Sequence, residues 1–216
     1  MKKIYPDLWQ TKEESFRGMP AHAYLLQREE GNVLFYHIRN SKDYKHISEL
    51  GGIKYQYLSH HDDMYSSLED IKTTFEDIKT TFDSKLCCHV LAEPYLKEES
   101  VSTDTLFEMN KKEFHSDNIE VIYTPGHCDN SLCFRYKSPY GKTYLFVGDT
   151  IYRDNGSWTT FLYPGHGNRK YLNQSLKLLR SLEVDVIICS VAVGDYKIIE
   201  VTPSEWHSIL DNLIKN

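Results

Sequence analysis

Three times along this chain an apolar, strand-like run ends in a loop that carries histidine or aspartate. "YLSHHDD" ends at Asp63, "VIYTPGHCDNS" holds His127, and "YLFVGDT" holds Asp149. Loops at strand ends are where a rigid sheet presents ligands and catalytic groups, so this pattern asks for a sheet scaffold with one working edge. Histidine offers a neutral nitrogen and aspartate one or two carboxylate oxygens, a donor set that suits zinc, iron or manganese.

The elements around these loops read as strands first and strand–helix alternation later. "HAYLLQ" and "NVLFYHI" form a hairpin across "REEGN". "SKDYKHISELGG" is a short helix capped by Ser41 and stopped by Gly51-Gly52. "KYQYLS" leads into the first cluster, and "KLCCHVLA" is a further strand. Residues 93–118 show no clear period. "NIEVIY", "SLCFRY" and "TYLFVGD" are strands, the last two joined by the turn "SPYGK". "NRKYLNQSLKLLRSL" is a helix, "VDVIICS" a buried strand, and "TPSEWHSILDNLI" a closing helix with Thr202, Pro203 and Glu205 forming its capping box. Two comparable halves of this kind predict an α/β sandwich with sheet inside and helices outside.

Between the third strand and "KLCCHVLA" the heptapeptide "EDIKTTF" occurs at 69–75 and again at 76–82. Leu68, Ile71, Phe75, Ile78 and Phe82 then fall on one helix face. Seven residues are close to two turns, so the duplication lengthens a helix without rotating its buried stripe. The extra length is either an interaction surface or a slippage that the fold tolerates, and two copies make no solenoid.

With 216 residues, 40% of them hydrophobic, the chain suffices for one domain with a substantial core. The net charge of −6 argues against a nucleic-acid surface as its main business. No apolar run approaches the length of a membrane span, and "MKKIYPDLWQTKEE" lacks the apolar segment of a signal peptide. Five cysteines without a CxxC pair fit reduced thiols, so a cytoplasmic location is expected. Cys128, beside His127, is read as a small side chain in a tight loop ahead of a redox group.

"TPGHCDNS" is similar to the Thr-Pro-Gly-His-Thr-x-x-Ser loop of the metallo-β-lactamase fold superfamily, and "LFVGDT" to its Gly-Asp motif. His127 and Asp149 lie 22 residues apart with a strand, turn and strand between them. The resemblance runs from about His22 to Asp195, and the glyoxalase II-like hydrolases are its nearest flavour. It implies a single domain over 1–216 with the four-layer αββα sandwich. It also makes His127 a metal ligand and Asp149 the carboxylate that commonly bridges two metals.

Elsewhere the chain departs from the family. In the pattern His-x-His-x-Asp-His, His60 fits the first place and Asp62 stands in the second. Met64-Tyr65, or Ser66-Ser67 on the alignment of a side branch, replace the ligands of a second metal. The early strand ends in "LFYHIRN", with His37 near the usual aspartate, and "IICSVAVGD" lacks the late histidine. "YPGHGN" supplies His166, but before the helix rather than after the strand; Cys189 is another substitute, although it also reads as core.

The expectation is therefore one divalent metal, zinc ahead of iron or none, held by His60, Asp62, His127 and Asp149, with His166 as a further candidate. Asp63, or an unligated Asp62, would orient water or act as general base. The resemblance implies a metal-dependent hydrolase using metal-activated water on an ester, thioester or phosphoester-like small molecule. A non-catalytic binding or regulatory descendant and a mononuclear iron oxidoreductase are the alternatives. No nucleic-acid or membrane partner is expected.

Overall fold

The computed structural model describes the chain except residues 17, 39–40, 65–67, 109–112, 117, 193–196 and 216, and except the side chains of residues 16, 64, 68–74 and 113. Tyr65, Ser66 and Ser67, the side chain of Met64, and Asp195 at the end of the resemblance therefore lie outside the described residues. The chain divides into two compact units, Met1–Glu108 and Met109–Asn216.

The first unit contains β1 (Lys2–Tyr5), β2 (Leu8–Gln10), β3 (Glu14–Phe16), β4 (Met19–Ala21), β5 (Tyr24–Leu26), β6 (Val33–Phe35), β7 (Tyr55–Tyr57), β8 (Lys85–His89) and β9 (Thr105–Phe107). Its helices are α1 (Tyr44–Glu49), α2 (Leu68–Phe82) and α3 (Glu93–Glu98). One seven-stranded sheet runs β1-β2-β5-β6-β7-β8-β9, and β3 pairs with β4 apart from it. The strands from β1 to β6 are antiparallel, as the short hairpin turns require. From β6 to β9 each connection carries a helix, and the strands become parallel. Parallel strands end on the same side, so His37, His60 and His89 emerge from the carboxyl ends of β6, β7 and β8, where open α/β sheets bind ligands.

The helix expected at 41–52 begins later than its sequence suggests. A 3₁₀ turn occupies Ser41–Asp43 and α1 starts at Tyr44. Asp43 holds the capping position without capping, because its carboxylate accepts from the Lys12 amide at 2.8 Å. Gly51 and Gly52, both at positive φ, end the helix with amide bonds to Ser48 and Ile47 carbonyls. On α2, Phe75 and Ile78 are buried and Phe82 half-buried, while Glu76, Asp77 and Thr80 are exposed, so the second repeat carries the predicted stripe. Lys79 pairs with Asp104 at 2.9 Å on its flank. Leu58, Phe75, Leu86, Cys88, Ala92, Leu96 and Val101 form one buried cluster of this unit.

The second unit contains β10 (Glu113–His115), β11 (Ile119–Tyr123), β12 (Leu132–Lys137), β13 (Thr143–Gly148), β14 (Tyr152–Asp154), β15 (Ser157–Thr159), α4 (Arg169–Arg180), β16 (Val186–Cys189), β17 (Ile198–Glu200) and α5 (Pro203–Lys215). Its six-stranded sheet runs β10-β11-β12-β13-β16-β17, and only β13 and β16 are parallel, joined across α4. Asn168 caps α4 by accepting from the Tyr171 amide at 3.1 Å. At α5 the predicted capping box is present: Thr202 Oγ1 accepts from the Glu205 amide at 3.3 Å, and Glu205 accepts from the Thr202 amide at 2.8 Å. Leu172, Leu176 and Leu179 of α4 pack with Trp206, Leu210 and Leu213 of α5 over Leu145, Val147 and Ile187. The Trp206 indole donates to the Leu179 carbonyl at 3.2 Å, which satisfies its one polar atom in the core.

Among the described residues no helix is long and apolar enough to cross a membrane.

Candidate metal centre

In the second unit the two strongest motifs come together. A ring nitrogen of His127 and a carboxylate oxygen of Asp149 lie within 4.8 Å of each other. The loop that carries His127 closes through the Thr124 amide to the Ser131 carbonyl at 2.9 Å and the Gly126 amide to the Cys128 carbonyl at 2.9 Å. Gly126 has φ +145, and a Cβ there would sit 2.3 Å from Leu172 Cα, so the loop lies directly on the α4 backbone. Ser175 of α4 secures it by donating to the Pro125 carbonyl at 2.7 Å. The motif's glycine and proline thus fix the depth at which its histidine stands.

The His127 imidazole is oriented from behind. Its Nδ1 is 2.9 Å from the carbonyl oxygen of Phe161, which can only accept, so Nδ1 carries the proton and Nε2 the lone pair. That is the tautomer of a metal-binding histidine with a backbone carbonyl as outer partner. Asp149 follows β13 after an irregularity in its pairing with β16 between Phe146 and Gly148. Ser190, just beyond β16, donates its hydroxyl to Asp149 Oδ1 at 2.5 Å. Thr124 and Thr150 are both buried, and their hydroxyls stand 3.5 Å apart with Cys133 beside them, tying the two ligand loops together.

In the first unit the "SHHDD" turn is buried throughout, from Ser59 at 1% exposure to Asp63 at 6%. Asp63 Oδ2 accepts from the Ser59 amide, the Ser59 hydroxyl at 2.8 Å and the His60 amide at 3.3 Å. Because Ser59 gives its proton to Asp63, its oxygen accepts from His60 Nδ1 at 3.0 Å. Asp63 Oδ1 is 3.5 Å from the same nitrogen. His60 therefore has the same tautomer as His127, with its lone pair on Nε2.

The other buried histidines of this edge are set the opposite way. The Gln56 amide donates to the Tyr36 carbonyl and to His37 Nδ1, each at 3.2 Å, and the Leu91 amide donates to His89 Nδ1 at 3.2 Å. Both keep the proton on Nε2. His37 also stacks on Phe75 with ring centres 4.0 Å apart. The histidine near the usual early aspartate is thus built into the sheet edge by Gln56 and α2.

No protein-family model matches the sequence, and no curated protein does. Solved structures are similar over nearly its whole length. A metallo-β-lactamase from Pontibacter korlensis is 18% identical, covers 98% of this chain and 98% of its own, and superposes with a TM-score of 0.69. One from Hirschia baltica is 14% identical over 98% of this chain and 95% of its own, with a TM-score of 0.70. An archaeal metallo-β-lactamase superfamily protein from Sulfolobus tokodaii is 16% identical over 98% and 86%, with a TM-score of 0.62. The chain has the metallo-β-lactamase fold.

Within this metallo-β-lactamase fold not every candidate ligand gathers. Among the described residues, neither His166 nor Cys189 completes a group of three with His127 and Asp149 whose donor atoms all approach within 4.8 Å. Instead the "YPGHGN" segment serves His127 through its backbone: the Tyr163 amide donates to the His127 carbonyl at 2.8 Å, and the Asn168 amide to Gly126 at 2.8 Å. Cys189 is fully buried, and burial, with the Asp149 charge adding to it, pushes its thiol far above the usual range. Burial also pushes the Cys128 thiol up to about 12, and its sulfur lies 3.1 Å from Ser131 Oγ inside the loop, as a small structural side chain would.

Two residues that bond to the candidate ligands escaped the sequence reading. Ser190 carries no motif, and its bond to Asp149 spans 41 residues. The Phe161 carbonyl is backbone, so no residue type announces it. Thr150 was visible as the letter after Asp149 in "GDT", but nothing in the sequence said that it would meet Thr124.

Proposed function

We propose that the protein is a metal-dependent hydrolase working with a single divalent ion, zinc first, held by His127 and Asp149; the resemblance implies His60 as a further ligand. The observation that carries this reading is the tautomer of the two histidines: carbonyl and hydroxyl acceptors hold the Nδ1 protons, which leaves the lone pairs on Nε2. Two imidazoles and a carboxylate are the donor set of a catalytic zinc site with an open fourth position. When bound there, the ion lowers the pKa of a coordinated water towards neutrality and polarises the bond to be cut.

The chain's own residues do the rest. Ser190 donates to Asp149 Oδ1 and so fixes the orientation of that carboxylate. Asp63 spends its carboxylate on the Ser59–His60 turn, so its part is to position His60. Asp62, buried in the same turn, is the carboxylate assigned to accept a proton from the attacking water. The substrate is an ester, thioester or phosphoester of a small molecule.

Purified protein should hydrolyse one of three probes: p-nitrophenyl acetate, an acyl thioester or bis-p-nitrophenyl phosphate. The activity should vanish on chelation and return with zinc, and Asp62→Asn should lower kcat at unchanged zinc content. The segment "IICSVAVGD", which lacks the late histidine that the resemblance expects, favours a second reading: a binding module that has kept its loops and lost turnover. Zinc-loaded protein inert towards all three classes would select it, and tightly bound iron would select an oxidoreductase.

A further inference from the structure

Phe161 presents 47% of its surface to solvent, an unusual place for a phenylalanine whose own carbonyl is a working part of the candidate site. Single exposed aromatics are ordinary, and Tyr140 on the turn after β12 is more exposed still at 62%. What separates Phe161 from these is how it is held. The segment Phe161–Tyr163 is tied to His127 at two points, Phe161 O to the imidazole and the Tyr163 amide to the His127 carbonyl at 2.8 Å. Tyr163 is itself anchored by the amides of His166 at 3.0 Å and Gly167 at 2.7 Å, and a Cβ on Gly167 would lie 2.7 Å from Leu162. The segment is therefore a close-packed strap that passes beside the histidine.

The strap carries two rings to one imidazole. Phe161 stands 5.9 Å from the His127 ring, tilted by 46°, and Tyr163 stands 6.1 Å away, nearly edge-on at 63°. Both are within the range of ordinary aromatic pairing, so the imidazole lies against an aromatic wall rather than in open solvent. A group bound at the His127–Asp149 pair would meet a histidine that packs against this wall. We propose that Phe161, backed by Tyr163, is a specificity-determining residue that selects substrates with a flat aromatic group next to the bond to be cut. This rests on the metal-dependent reading for the place of the bond, but the preference for a ring belongs to the strap itself. The carbonyl of residue 161 orients the ligand whatever its side chain, so the ring is left to recognise the substrate.

The test uses two anions that differ only in the ring, benzoate and acetate, with binding followed by ligand-observed NMR in zinc-loaded and in chelated protein. Benzoate should bind about tenfold more tightly than acetate. Phe161→Ala should bring the two within about twofold, because it keeps the carbonyl and removes the ring. Phe161→Tyr should retain the preference, and Tyr140→Ala should leave it untouched. No benzoate binding, equal binding of the two anions, or a preference that survives Phe161→Ala would overturn the proposal. Failure of the protein to retain zinc would instead count against the metal reading, since the ring preference is measured in the chelated protein as well.

Discussion

Ser190 gives its hydroxyl proton to Asp149 Oδ1 from the end of the one strand that lies parallel to β13. The bond joins a candidate metal ligand to the "CSVAVG" strand end, the segment in which the resemblance expects another ligand. A histidine there would add a donor to the site, whereas the serine instead fixes the orientation of the donor already present. Ser190→Ala should therefore lower zinc affinity by about 10- to 100-fold, the usual cost of losing an outer-shell partner. Competition with a coloured chelator would measure it. Unchanged affinity would mean that Asp149 is positioned without Ser190.

Asp63 accepts three hydrogen bonds within its own turn, and this separates a positioning role from a catalytic one. Asp63→Asn places an amide donor among donors, so stability should fall by about 1–3 kcal/mol. Zinc affinity should fall with it, because His60 loses the Ser59 acceptor that sets its tautomer. A lowered kcat with unchanged melting and unchanged zinc affinity would mark Asp63 as the proton acceptor.

Gly126 is sterically committed to α4. In Gly126→Ala the new methyl would meet Leu172 Cα and N at 2.3 and 2.4 Å, on a backbone with φ +145. Either the loop or the helix has to move, and overpacking of this kind costs about 1–3 kcal/mol. Denaturant midpoints would show the loss. Since the displaced loop carries His127, zinc retention should drop in the folded variant too.

The loops of His127 and Asp149 were legible because each joined an informative residue type to a strand long enough to show alternation. β11, β12 and β13 run five or six residues, and their apolar pattern led directly to His127 and Asp149. The capping box of α5 was equally plain in Thr202 and Glu205. β1 to β4, β14, β15 and β17, of three or four residues, are too short for any period, and the sequence reading passed over them; β5 to β7, equally short, were read from the longer apolar runs around them. The helix cap at Ser41 failed because the decisive partner of Asp43 is the amide of Lys12, 31 residues earlier. The tautomers of His37 and His127 were out of reach for the same reason, since Gln56 and the Phe161 carbonyl lie 19 and 34 residues from their histidines.

Deleting one "EDIKTTF" copy should leave the protein folded. The surviving helix keeps Ile78, Phe82 and the lysine that pairs with Asp104, and Leu68 takes the place of Phe75 on the apolar face. Either copy's removal gives the same sequence, and the melting temperature should change by no more than about 5 °C. An insoluble product, or a much larger drop, would show that the added two turns make contacts the fold needs.

Metal stoichiometry tests the central claim most directly. Protein dialysed against metal-free buffer after zinc loading should retain one equivalent per chain by elemental analysis. His127→Ala and Asp149→Ala should lose it with an unchanged circular dichroism spectrum, and His166→Ala should keep it. Two retained equivalents, or one that survives His127→Ala, would contradict a single ion held by His127 and Asp149.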